Sequence, residues 1–446
     1  MNEILIGLKR SKRNLLSPLL WRVRIVFWLA SIIVGVSAVA FALTADFAQH
    51  LHDRLLLDST WLSLVATPLG LGALVWLTER WIPAAAGSGV PQAIASLQVG
   101  TGDPLRRRLL SPVVALAKMA LTFVGLVLGA SIGREGPTIH VGAAVMHLAG
   151  RIGRFPAHYL EKGLILAGGA AGLSAAFNTP LAGIVFAIEE LHRDYEEGTS
   201  GLVLLSVILA GLTSLFLVGD YSYFGAIDTS LPQDASWLAV PVCGVIGGLA
   251  GGLFSWSIQV GSRRLGPVRR ARPLLFGIGC GLIIAVLGLV SDGHTYGTGY
   301  EQAKTLLAEG MSASAGNALS APLVPVEKFI ATAVSYLSGI PGGLFSPSLA
   351  TGAELGGALT HLLPFVPVST IILLSMAAYF SGVVQTPITT FVVVMEMTDN
   401  NGLVVPLMAT SMIAFGVSRA ICPYPIYHAL AKAFLPETRG TARQAP

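Results

Sequence analysis

Charge is what this sequence has least of. Only 12% of its 446 residues are Asp, Glu, Lys or Arg, about half the share usual in soluble domains, and so few cannot cover several water-facing domains. Cysteine is scarce too: Cys243, Cys280 and Cys422 lie in or beside apolar segments without paired spacing. They read as small packing residues, with neither a disulfide framework nor a metal site. The net charge of +4 does not point to nucleic acid, because the basic residues stand in short runs beside hydrophobic spans. What is plentiful is apolar side chain, 53% of the chain with mean hydropathy +0.70, in repeated runs of membrane-spanning length. The fold class is therefore all-α and polytopic, a single membrane domain over residues 1–446. The 51 Gly and 25 Pro add the expectation of many broken or closely packed helices.

The few basic residues give an orientation. Lys9, Arg10, Lys12, Arg13, Arg22 and Arg24 precede an uncharged stretch over 25–45, too long for the core of a signal peptide. It reads as an uncleaved span with a cytoplasmic N-terminus. The polar stretch 46–58 contains Arg54 as its single Lys or Arg, whereas the one after the 61–77 span reaches Arg106, Arg107 and Arg108. The first reads external and the second cytoplasmic. The loop 219–236, with Asp220, Asp228 and Asp234, is then external, and the cluster Arg263, Arg264, Arg269, Arg270 and Arg272 cytoplasmic. Lipid is a partner, and the basic runs also suit anionic headgroups. Residues 428–446 read as a short cytoplasmic tail without a soluble regulatory domain, a composition that suits a bacterial inner membrane.

The chain repeats itself. TPLAGIVFAIE at 179–189 and TPITTFVVVME at 386–396 share Thr-Pro, an apolar run and a Glu at one spacing, each preceded by an amide, Asn178 or Gln385. Upstream, GREGP at 133–137 and GLFSP at 343–347 share Gly and Pro, with a further Gly (142, 352) five residues after each Pro. The offsets are 207 (179 to 386) and 210 (133 to 343), which predicts two duplicated halves, approximately 25–218 and 237–420. Membrane proteins built this way commonly place an ion site where the repeats meet, at the ends of interrupted helices.

Three Gly/Pro-rich breaks stand in apolar sequence: GSGVP (87–91), GREGP (133–137) and GGLFSP (342–347). Each predicts a helix start, with Pro in the first turn. Free N–H groups and the positive end of the helix dipole make such a start an anion site without a full positive charge, and partial charges allow release as well as binding. Glu135 is a carboxylate inside an apolar segment, a functional candidate by default. At an anion site it competes with the anion when ionised and vacates the site carrying a proton when protonated; its bland reading is an ion pair with Arg134. Glu189 and Glu396 match in the repeat and read as structural. Glu190 has no counterpart, since Met397 takes that place, and reads as a second proton-handling carboxylate near the cytoplasmic side, with Arg193 close by. Its bland reading is a solvated helix end. Lys118 and Lys328 read either as raising the potential near the anion path or as snorkelling or carboxylate-paired lysines, and His140 as a packing residue with a backbone partner.

GSGVP, GREGP, GGLFSP, the Glu-Glu ending of TPLAGIVFAIEEL and the late PYPIYHAL resemble the CLC chloride channels and proton-coupled chloride transporters, in order and over nearly the whole membrane region. The resemblance implies a homodimer with an ion pathway in each subunit, and two inverted halves per subunit. It implies that the hydroxyls of Ser88 and Tyr427 and the backbone N–H groups of Leu344 and Phe345 bind the central anion. Glu135 would be the external gate and Glu190 the internal proton-transfer glutamate. Relatives that favour nitrate carry proline in place of the first-motif serine, so Ser88 favours chloride. Val90 departs mildly from the commoner Ile, and the nucleotide-binding modules of many eukaryotic members have no counterpart.

The expected function is exchange of chloride for protons, with no cofactor and no covalent catalysis. Glu190 favours antiport, and a passive chloride channel on the same fold is the alternative. A transporter of a small organic anion is a further one. An intramembrane hydrolase built on Ser88 and His140 lacks a GxSxG elbow and leaves the repeated helix starts without purpose.

Overall fold

The computed structural model describes residues 18–57, 60–155, 157–191, 197–219, 221–232, 234–313 and 319–436. Lys9, Arg10, Lys12, Arg13, Asp58, Arg193, Asp220 and the tail from residue 437 lie outside the described residues.

The described residues are predominantly helical. In the first half come α1 (Pro18–His52), α2 (Thr60–Trp81), α3 (Val90–Gln98), α4 (Pro104–Leu109), α5 (Pro112–Val127), α6 (Glu135–Ile152), α7 (Ala157–Phe177), α8 (Pro180–Phe186, continued as a wider turn over Ala187–Leu191) and α9 (Glu197–Val218). The second half holds α10 (Ala239–Ala271), α11 (Pro273–Val290), α12 (Tyr300–Ser312), α13 (Val324–Leu337), α14 (Phe345–Leu359), α15 (Val368–Val384), α16 (Pro387–Thr398) and α17 (Val404–Ile421). After it, α18 (Ile426–Ala431), with Tyr427 and Ala431 buried, takes up the first residues of the segment expected to be a tail. Among the described residues, 7 helical stretches are long and apolar enough to cross a membrane. Several others are too short to do so, and they begin at Gly/Pro breaks.

The two halves use the same devices. In the first, α1, α6, α7 and α9 pack together, and α10, α14, α15 and α17 do the same in the second. The Gly after each first-turn Pro is where two helices cross closely: Gly142 lies against the Gly168 carbonyl of α7, and a Cβ on Gly352 would stand 2.7 Å from the Met376 Cα of α15. The amides before the Thr-Pro pairs have matching left-handed backbones, φ 56° at Asn178 and 60° at Gln385. Their side chains are anchored, Asn178 Nδ2 donating to the Tyr221 carbonyl at 2.8 Å and Gln385 Nε2 to that of Cys422 at 2.6 Å.

Glu189 and Glu396 join the halves reciprocally. Glu396 accepts from the N–H groups of Leu181 and Ala182 at 3.0 and 2.7 Å, at the start of α8. Glu189 accepts from those of Ile388 and Thr389 at 3.1 and 2.6 Å, at the start of α16. Each carboxylate caps the equivalent helix of the other half, satisfying N–H groups that a helix leaves unpaired. This is the structural role expected for the matched pair.

Candidate functional site

All three Gly/Pro breaks are helix starts, and the structure brings them to one place. Gly89, Arg134 and Leu344 are the N-caps of α3, α6 and α14. Two isolated bridges fasten the breaks together. Gly133 and Gly343 exchange N–H···O bonds at 2.8 and 2.6 Å, and Gly87 pairs with the 340–342 segment at 3.3 Å in both directions. Glycine is required here: Gly89 has φ 108°, and a Cβ on it would stand 2.7 Å from the Gly136 carbonyl oxygen. Three sets of free N–H groups and three dipole ends therefore face one buried point, a geometry that attracts an anion.

The side chains at this point are polar and enclosed. Ser88 lies against Gly136, its Oγ filling the space a side chain there would need. Tyr427, at the start of α18, stacks its ring on Phe345 at 6.1 Å between centroids and 14° between planes. The hydroxyls of Ser88 and Tyr427 are both buried without a hydrogen-bond partner among the described residues. Such orphans are costly unless a ligand completes them. The Phe345 ring is held among Phe177, Phe186 and Phe380, and Phe345 is the first residue of α14.

Glu135 is the first residue of α6 and 0% exposed. Its carboxylate reaches across to the start of α14, where it accepts a short hydrogen bond from the Ser346 hydroxyl and a longer one, 3.5 Å, from the Ser346 N–H. The bland reading of Glu135 fails. Arg134 turns away to Asp46 Oδ1 at 2.5 Å and the Ala42 carbonyl at 2.8 Å. Adjacent positions on a helix do not face each other, which is the physical reason. The carboxyl group thus sits among helix N-termini, at the start of α14.

Glu190 is also 0% exposed, so it is not a solvated helix end. His428 Nε2 donates to its carbonyl at 2.9 Å and lies 3.9 Å from its Oε1. Tyr427 and His428 are adjacent in α18, so this short helix reaches both the Phe345 side of the site and Glu190.

The two membrane lysines correct an expectation. Neither snorkels and neither has a carboxylate within ion-pair distance among the described residues. Lys118 Nζ donates to the carbonyls of Ala85 and Gly87 at 2.7 and 2.8 Å, and Lys328 to those of Thr295, Tyr296 and Gly297 at 3.0 to 3.2 Å. Both are fully enclosed because irregular backbone supplies their acceptors. Lys118 thereby holds the loop that positions Ser88. His140 Nε2 meets the Leu109 carbonyl at 2.9 Å, the packing role expected of it.

Residues 69–419 match the family described as voltage gated chloride channel. The chain belongs to the CLC family. It is 30% identical over 423 residues to the H(+)/Cl(-) exchange transporter ClcA of Yersinia pestis bv. Antiqua (strain Angola), covering 90% of this chain and 85% of that one. The ClcA of Citrobacter koseri is 28% identical over 417 residues, covering 89% and 85%. A slow cyanobacterial Cl-/H+ antiporter has a similar structure, with TM-score 0.79 and 24% identity over 95% of this chain and 99% of that one. A CLC-type fluoride/proton antiporter aligns with TM-score 0.72 and 22% identity over 92% and 98%. The fold of this CLC protein is thus the two-halved helical bundle expected from its repeat. Sequence reasoning missed Ser346, His428 and Tyr223 as neighbours of the key groups. Ser346 and His428 lie inside quoted motifs, while Tyr223 carries no local signal.

Proposed function

We propose that this CLC protein is a secondary active transporter exchanging chloride for protons, with Glu135 as external gate and Glu190 as internal proton-transfer carboxylate. One observation carries the reading: a fully buried carboxylate is seated where three helix N-termini and two unpartnered hydroxyls converge. Chloride would be held by Ser88 and Tyr427 and by the N–H groups of Leu344 and Phe345. Ionised, Glu135 occupies ground that favours an anion; protonated, it yields that ground and carries a proton. The two ions therefore move in exchange through one residue. Glu190, linked to the site by α18, receives the proton on the other side. The similarity to the H(+)/Cl(-) exchange transporter ClcA and to the cyanobacterial Cl-/H+ antiporter supports the same exchange.

The N-terminus and arginine clusters face the cytoplasm in this reading, in a bacterial inner membrane. Two copies associate, each with its own pathway. The contiguous helices α8, α9, α16 and α17 offer the surface, with Leu181, Leu212, Phe216, Ile388 and Met412 exposed on it. The repeat halves run approximately over 25–218 and 237–420.

The test is proton uptake driven by a chloride gradient in liposomes containing the purified protein. Glu135→Ala is expected to abolish uptake and leave chloride flux insensitive to pH, and Glu190→Ala to abolish uptake while chloride still moves. Proton pumping that persists in either variant removes the role assigned to that residue. A wild-type reversal potential indifferent to a pH gradient would make the protein a passive channel.

A further inference from the structure

The residue that meets Glu135 across the two halves is Ser346, which is 3% exposed. Its N–H would be present with any side chain at that position. Its hydroxyl is the separate contribution of serine, and it donates to Glu135 Oε1. Behind the hydroxyl stands the Tyr223 hydroxyl at 3.4 Å. Tyr223 is itself fixed by Tyr300, whose hydroxyl donates to the Tyr223 carbonyl at 2.8 Å, and by the Arg134 guanidinium 5.9 Å from its ring centre.

We propose that the Ser346 hydroxyl is a latch that positions Glu135, holding its ionised carboxylate in the anion path so that every transport cycle must break this bond. The proposal rests on the reading of Glu135 as gate and deepens it. A hydrogen bond to an ionised acceptor is among the stronger kinds, and one donated to a carboxylate favours the ionised over the protonated form. The latch therefore acts in two ways. It slows release of the carboxylate, and it moves activation by acid to lower pH.

Other groups around the carboxylate do not duplicate this contact. Arg134 at the N-cap of α6 is engaged by Asp46 of α1. Tyr223 comes from the connection after α9 and Tyr427 from α18. On α5, Lys118 is turned to backbone carbonyls. The segments α3 and 345–352 carry no titratable side chain, and α7 carries none after Lys162.

The experiment compares wild type with Ser346→Ala, Ser346→Thr and Tyr223→Phe in liposomes, measuring chloride turnover across a pH series together with the chloride-to-proton ratio. Ser346→Ala is expected to turn over roughly tenfold faster near neutrality and to move the acid-activation midpoint up by about one pH unit, with the ratio unchanged. Ser346→Thr keeps the hydroxyl and should stay near wild type, while Tyr223→Phe should shift the midpoint the same way by less. Wild-type turnover and midpoint in Ser346→Ala, or a Thr variant that behaves like the Ala variant, overturns the latch. Should Ser346→Ala be lost on purification, Ser346→Cys takes its place with the same expected shift and the same overturning result. Glu135→Gln separates the two claims: wild-type coupling in it removes the gate reading, whereas an uncoupled Glu135→Gln beside a wild-type-like Ser346→Ala removes the latch alone.

Discussion

Ser88 and Tyr427 bring two buried, unpartnered hydroxyls to one point, and a buried hydroxyl is stabilised only when something accepts its proton. An anion does so without a competing ammonium, since the nearby Lys118 spends its hydrogen bonds on the Ala85 and Gly87 carbonyls. Ser88→Ala and Tyr427→Phe are each expected to weaken chloride binding roughly tenfold, the effect of losing one bond to a charged group. Calorimetric titration of purified protein with chloride checks this; unchanged affinity in both variants would mean that the hydroxyls do not face the anion. Glu135 was legible from sequence because a carboxylate is conspicuous in an apolar run. Lys118 was not, because its acceptors are backbone carbonyls about thirty positions away, and carbonyls are identical in every sequence.

At the level of helices, the repeated Thr-Pro and Glu are two ends of one device. The Thr-Pro pair opens a short helix, and the Glu at the end of its equivalent in the other half caps that opening. Removing a cap typically costs about 1 kcal/mol. Glu189→Ala and Glu396→Ala are each expected to lose about that much, measured by denaturant titration in detergent, because each caps two N–H groups, Glu189 also accepting from the Thr389 hydroxyl at 2.8 Å. A loss confined to one of them would show that the symmetry of geometry is not one of energy. The equal spacing of the motifs was visible in the chain, but that each Glu serves the opposite half was not. Spacing records what lies along a chain, whereas these bonds join residues 199 to 215 positions apart.

For the whole molecule, the two four-helix groups place their broken helices nose to nose, and the paired glycines Gly133 and Gly343 lock them there. Neither half alone builds the site: α3 and α6 come from the first, α14 from the second and α18 from the segment that follows it. The homodimer proposed above would use the apolar surface formed by α8, α9, α16 and α17. Light scattering in detergent should give a protein mass about twice the 46.5 kDa chain, and a monomer mass across the working concentration range would remove that assembly.

The sequence by itself determined that the chain lives in a membrane, where its helices break, and that it is written twice, because hydropathy, Gly/Pro punctuation and spacing are properties of neighbouring residues. Only the tertiary structure decided that three breaks meet, that Glu135 rests on the Ser346 hydroxyl, and that Arg134 serves Asp46 instead. The Glu135–Ser346 bond crosses between the halves and the Arg134–Asp46 pair joins α6 to α1 within the first, and a hydrogen bond between residues 211 positions apart leaves no periodic trace for a sequence to carry.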